Sequence, residues 1–138
     1  MPGSIRVACA SNKEEDLDGH FGSCARFLVY QVDSNETRLI DIRPTNGPEA
    51  RDDKNAYRAG LIEDCQVLFV ASIGGPAAAK VVKTGVHPIK HPNGGTTRER
   101  MANLQSVLAS APPPWLAKVM GYNEEERVRF EREAEAGA

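Results

Sequence analysis

Val67-Leu68-Phe69-Val70-Ala71 limits most strongly what this chain can fold into. Five apolar residues in a row, without polar alternation, describe a strand buried on both faces. Such a strand needs a covering layer on each side, so the chain must build an α/β structure around it. Ile73-Gly74-Gly75-Pro76 follows directly and opens a helix, with proline near its first position. That helix runs from Ala77 to Thr84, and Gly85 stops it at the C′ position.

The other elements fall into place around this pair. Ile5 to Ala10 is a short apolar run with β-branched residues and reads as a buried strand; Ser11 to Asp18 is polar and reads as a loop. Arg26 to Val32 and Thr37 to Arg43 are strands separated by the turn residues Asp33-Ser34-Asn35-Glu36, which predicts an antiparallel hairpin. Pro44 to Glu49 is a loop, and Asp52 or Asp53 can cap a helix reaching about Asp64, with Ala56, Ala59 and Ile62 on one side. Val86 to Lys90 is a short strand that Pro88 places at an edge or strand end. Thr97 can cap a helix whose Met101, Leu104, Val107 and Leu108 recur at helical spacing. Pro112-Pro113-Pro114 ends it, and Trp115 to Met120 reads as a short amphipathic turn or helix. The order β–β–β–α–β–α–β–α predicts a mixed five-stranded sheet, parallel in its second half and covered by helices. One domain over 1–121 and a charged, exposed tail over 122–138 complete the expected organisation.

No apolar run approaches the ~18 residues of a membrane span, and no basic stretch precedes an apolar block at the N-terminus. Cys9, Cys24 and Cys65 are too few for a disulfide framework, which points to a reducing, cytoplasmic setting. Net charge is −2, but it is unevenly spread. Lys80, Lys83, Lys90, Arg98, Arg100 and Lys118 face only Glu99 within 80–120, where His87 and His91 can add to the excess. This local basic bias suits an anionic small ligand or partner, and a solvated helix face accounts for it equally well.

The chemistry concentrates in Leu17-Asp18-Gly19-His20-Phe21-Gly22-Ser23-Cys24, between the first two strands. Imidazole and thiolate hold transition metals, and glycine lets a backbone approach a ligand closely. Phe21 reads as a core anchor pinning the loop, and Cys9 and Cys65 as core positions. Cys24 fits either burial or ligation. Gly74-Gly75-Pro76, at a helix start, offers free backbone N–H groups to an anion. No Cys-x-x-Cys or His-x-x-x-His spacing supports a closed zinc site. Ser23 or Cys24 with His20 lacks an orienting acid, and Asp16 with Asp18 lacks further acids on later strands except Asp41 and Asp64.

Taken together these segments resemble the dinitrogenase iron-molybdenum cofactor-binding family. Ala8 to Ala10 followed by Asp18-Gly19-His20-Phe21-Gly22-Ser23-Cys24 is similar to its first motif. Asp64 to Phe69 with Ile73-Gly74-Gly75-Pro76 through Val82 is similar to its second. Val86 to Lys90 and Pro112 to Lys118 look especially like its NifX-type members; the core domain of NafY and the C-terminal domain of NifB belong to the same family. The resemblance spans roughly residues 4–121 and departs in His91–Thr97 and in the tail. It implies a ribonuclease-H-like α/β fold without nuclease activity. It also implies a non-enzymatic carrier of an iron–sulfur or iron-molybdenum cofactor precursor, working with nitrogenase cofactor-assembly proteins rather than with nucleic acid or membrane. The family's cluster-binding histidine corresponds to His20, the one metal ligand expected. The wider cofactor-binding set is His20, Phe21, Gly22, Cys24, Gly74, Gly75, His87 and Lys90. Two other readings stay open: a regulatory or interaction module of the same fold that binds no cluster, and a small hydrolase using Asp16, Asp18 and His20.

Overall fold

The computed structural model describes residues 4–46 and 54–110, with Pro114 and Leu116. The loop through Gly47-Pro48, the capping Asp52 or Asp53, most of the 112–120 segment and the tail lie outside the described residues. The elements are β1 (Ile5–Ser11), β2 (Arg26–Val32), β3 (Thr37–Pro44), α1 (Lys54–Leu61), β4 (Val67–Val70), α2 (Gly75–Lys83), β5 (His87–Lys90) and α3 (Thr97–Ala109). They form one five-stranded sheet in the order β3-β2-β1-β4-β5. β1–β2 and β2–β3 are antiparallel, whereas β1–β4 and β4–β5 are parallel. This is the mixed, helix-flanked α/β sheet read from the sequence.

Alternation along β1 explains the layering. Ala8 and Ala10 point into one core with Phe21, Phe27, Ala59, Ile62, Leu68, Ala77 and Val81. Ile5, Val7 and Cys9 point into a second core with Phe69, Met101, Leu104, Leu108 and Leu116. α1 and α2 therefore cover one face and α3 the other. All four residues of β4 are buried. β3, at the edge, leaves Leu39, Ile40 and Ile42 exposed, and β5 occupies the opposite edge, where Pro88 costs no ladder bond on its outer side.

Several boundaries differ from expectation for local reasons. α1 ends at Leu61, earlier than Asp64, and α2 begins at Gly75, earlier than Ala77. The cap of α3 is Thr96, whose hydroxyl accepts the Glu99 N–H at 3.1 Å. Thr97 instead turns inward, its Oγ1 2.7 Å from the Tyr30 hydroxyl. Val107 is exposed, so the buried stripe of α3 is Met101, Leu104 and Leu108. Gly85 has φ +94°, the left-handed geometry a helix-terminating glycine supplies.

Outside the cores, Asp64 joins the start of β4 to the rest of the sheet. Its carboxylate accepts from Arg43 Nη2 and from Arg6 Nη1, both at 2.9 Å. The Arg43 hydrogen bonds are the main reason its carboxyl is held at about 2. An acid whose folded-state pKa is depressed stabilises the fold above its unfolded pKa of about 3.9 and ceases to do so as pH falls through the folded value. Asp64 is part-exposed, which screens the effect. Asp64→Asn should therefore lose about 1 kcal/mol at neutral pH. In urea unfolding across a pH series, its gap from wild type should close between about pH 4 and about pH 2.

Candidate functional site

The carboxyl ends of the parallel strands meet the His20 loop at one edge of the sheet, where ligands of open α/β sheets collect. The loop continues the ladder there. Gly19 N–H donates to the Ala10 carbonyl at 3.1 Å, and the Gly19 carbonyl accepts the Ala71 N–H at 2.9 Å. His20 pairs with Ser72 in a parallel bridge, and Phe21 N–H donates to the Ser72 carbonyl at 2.9 Å. The stretch after β4 and the loop after β1 are thus stitched together. His20 thus lies directly beside Ser72, which leads through Ile73 into Gly74-Gly75.

The His20 side chain is exposed and oriented. Its Nδ1 lies 2.8 Å from Ser72 Oγ. With the Nδ1 proton donated to Ser72, the Nε2 lone pair is left for a metal, the arrangement in which a second hydrogen bond sets the tautomer of a ligating imidazole. Nε2 overlooks Gly22: a Cβ built on Gly22 would sit 3.4 Å from Nε2 and 3.6 Å from Lys54 Nζ. Lys54, the first described residue of α1, therefore brings an ammonium to the same spot.

The loop is held from beneath by the same helix. Arg58, one turn after Lys54, is buried. Its Nη1 donates to the Phe21 carbonyl at 3.0 Å and the Cys24 carbonyl at 2.9 Å, and lies 3.3 Å from Cys24 Sγ. The turn closes on itself through Ser23 and Cys24 N–H groups donating to the His20 carbonyl at 3.0 and 2.8 Å.

The expected site residues divide accordingly. His20 is exposed on the loop and Gly22 is half-buried beside it. Gly74 and Gly75 are exposed at the start of α2; a Cβ at either would meet nothing within 4 Å, and Gly74 caps the helix without any side-chain bond. Phe21 is fully buried in the α1/α2 core, its ring 5.8 Å from Phe27, and offers no ligand surface. Cys24 is fully buried as well. Burial pushes its thiol up, against a smaller opposing pull from Arg58, so it is not presented as a thiolate ligand. Cys65 is raised further, to about 12, chiefly by burial. Lys90 is exposed at the carboxyl end of β5, in register with Val70. His87 begins β5 in register with Val67, so it lies roughly 10 Å down the strand, toward the opposite edge of the sheet from His20.

The charge pattern misled in one respect. The cations around the loop are Lys54 and Arg58, from the acid-rich half of the chain. Arg98 and Arg100, on α3 across the sheet, engage Glu15 and the Gly94 carbonyl instead. His91 also belongs to that side. Its ring meets Phe69 edge-on at 4.6 Å, and burial, then Arg100, lowers its pKa, so it adds little positive charge. Ser72, Lys54 and Arg58 escaped sequence reading; only the helical i, i+4 spacing of the last two hinted that they share a face.

Among the described residues no convergent acid set appears. The Asp18 carboxylate accepts the Asn12 N–H at 2.7 Å, and the Asp16 backbone pairs with that of Thr96 in an antiparallel bridge. Among the described residues, no three His, Cys, Asp or Glu side chains gather as a metal cage. A groove of about 370 Å³ between β3 and α3, lined by Tyr30, Leu39 and Met101 among others, lies on the other face and contains none of the expected site residues. What the loop offers is one imidazole, one nearby ammonium and an open helix N-terminus, a donor set suited to an anionic metal cluster held by few bonds.

Comparison with known proteins bears on the same residues. The family described as dinitrogenase iron-molybdenum cofactor matches over residues 3–107. NifY of Azotobacter vinelandii is 53% identical over 127 residues, 92% of this chain and 52% of that protein. NifX of Rhodobacter capsulatus is 35% identical over 124 residues, covering 85% of this chain and 78% of that one. The chain spans about half the length of the NifY proteins it matches. Among solved structures, PH0822 superposes with a TM-score of 0.61 at 13% identity, over 74% of this chain and 91% of that one, a likeness of fold.

Proposed function

This chain belongs to the dinitrogenase iron-molybdenum cofactor family, and on that premise we propose that it serves nitrogenase cofactor biosynthesis as a carrier. Its cargo is an iron–sulfur or iron-molybdenum cofactor precursor, bound at the His20 loop and passed to a cofactor-assembly protein. Residues 1–121 form the cargo-binding domain in this reading, and 122–138 an acidic tail. The reading is of a cytoplasmic carrier and not of an enzyme: the Asp18 carboxylate, the acid nearest in sequence to His20, is engaged by the Asn12 N–H.

The observation that carries it is His20, exposed, with Nδ1 engaged by Ser72 and Nε2 free over a glycine. A neutral imidazole so oriented can take one open metal position. The nearby Lys54 ammonium and the uncapped start of α2 favour the negative charge of such clusters. A single protein ligand suits a carrier, because release then requires breaking one metal bond and not four.

The test is an anaerobic titration with isolated iron-molybdenum cofactor, followed by iron and molybdenum counts and spectroscopy. Wild-type protein should take up about one cofactor per chain, and His20→Ala should weaken uptake on the order of 100-fold, at least the loss typical of disturbing a metal ligand's support. Equal uptake by the His20→Ala protein would remove the proposed ligand.

A further inference from the structure

Lys54 and Gly22 extend the site beyond its histidine. We infer that Lys54 is a second, purely electrostatic contact for the cargo, reading an anionic atom bound next to the metal that His20 takes, and that Gly22 keeps the gap between the two nitrogens free of a side chain. The inference rests on the carrier reading and specifies how its site recognises charge.

Three observations carry it. First, one point above Gly22 lies 3.4 Å from His20 Nε2 and 3.6 Å from Lys54 Nζ. That point is the place of the missing Cβ, so the two nitrogens flank Gly22 on the same side and glycine puts no side chain between them. Second, among the described residues no carboxylate pairs with the Lys54 ammonium. Among the described residues it is a cation without a counter-charge, at the lip of the loop. Third, its placement is enforced. Arg58 sits four residues along the same face of α1 and is locked by hydrogen bonds to the Phe21 and Cys24 carbonyls, which bracket Gly22. Docking of Arg58 under the loop sets α1 in rotation and height, and so delivers Lys54 above it.

The two nitrogens have different chemistry. Imidazole Nε2 donates a lone pair to a metal. A protonated ammonium cannot ligate and pairs only with negative charge. A ligand satisfying both presents a coordinatively open metal with a negatively charged atom, such as sulfide or carboxylate oxygen, bound to it. A free metal cation meets repulsion from Lys54, and a simple anion leaves the imidazole unused. The pair thus selects for an anionic metal cluster against either component alone.

The experiment titrates wild type, Lys54→Met, Lys54→Arg and Gly22→Ala anaerobically with isolated iron-molybdenum cofactor at low and at high salt. Lys54→Met should weaken binding about tenfold at low salt, one charge-assisted contact, and flatten its salt dependence. The spectrum of bound cofactor should stay that of the His20-ligated form. Lys54→Arg should bind like wild type. Gly22→Ala should weaken binding at least as much as Lys54→Met while keeping the wild-type melting temperature, since its Cβ fills the gap without touching backbone. Wild-type affinity and salt slope in Lys54→Met would overturn the inference and leave the carrier reading standing. Failure of wild type itself to take up cofactor would overturn both.

Discussion

Gly19→Ala is expected to destabilise the protein by about 3 kcal/mol, at the upper end of the usual cost of overpacking. The added Cβ would lie 2.7 Å from the Ala10 carbonyl carbon and 2.8 Å from both its oxygen and its Cβ. Neither side can yield cheaply. Ala10 is fully buried in β1, which is paired on both edges, to β2 and β4. Gly19 is itself bonded on both sides, to Ala10 and to Ala71. Its φ is not in the left-handed region, so the requirement for glycine is steric contact alone. A loss of that size should lower the melting temperature by about 10 °C. Because the Gly19 bonds also set the height of His20 beside Ser72, cofactor uptake should fall even at temperatures where the variant remains folded. A melting temperature within a degree or two of wild type would show that the loop is not wedged against β1 as described.

Arg58→Met should cost about 2 kcal/mol, read from denaturant midpoints. The Cys24 carbonyl would keep the Thr45 hydroxyl at 2.7 Å, but the buried Phe21 carbonyl would retain only the weak Cys24 thiol at 3.9 Å. Leaving one such acceptor unpaired costs roughly 1–3 kcal/mol, and removal of a buried charge returns part of the loss. Arg58→Lys should recover little, because the shorter lysine side chain stops its ammonium short of the point where Nη1 meets both carbonyls. The clearer signature is local. Amide exchange at Ser23 and Cys24, both donating to His20, should accelerate more than exchange in β4. Uniform acceleration throughout the sheet would assign Arg58 a global packing role and not the support of this turn.

Gly19 lies in the loop that the sequence marks, whereas Arg58 is barely advertised by it, and the reason is physical. Elements were legible because they obey short periods. The unbroken apolar run of β4, the alternation of β1 and β2, and the 3.6-residue recurrence of Met101, Leu104 and Leu108 each report burial through local spacing. Phe21 as an anchor and Gly85 as a helix stop were readable for the same reason. Misplaced details, such as Thr96 for Thr97 as a cap, came where one threonine was taken by a distant partner, Tyr30, and its neighbour was left to cap.

The site divides along the same line. His20 and its glycines were visible as a chemically odd mixture within one loop, and the family motifs gave that loop a meaning. Ser72, Lys54 and Arg58 stand 52, 34 and 38 residues from His20 in sequence, and nothing local marks them. The basic bias of 80–120 drew attention away from them, because counting charge along a chain ignores which face of the sheet receives it. Cys24 and His87 looked available for the same reason: composition records a thiol and an imidazole, not burial or strand register.

The amino-acid sequence alone thus determined the layers, the strand and helix inventory, the family and the imidazole of the proposed site, because these depend on near-neighbour spacing and short motifs. Only the tertiary structure decided which way that imidazole faces, which ammonium lies beside it and which arginine holds the loop. Those are contacts between elements, set by parallel β1–β4 pairing and by how α1 packs across it.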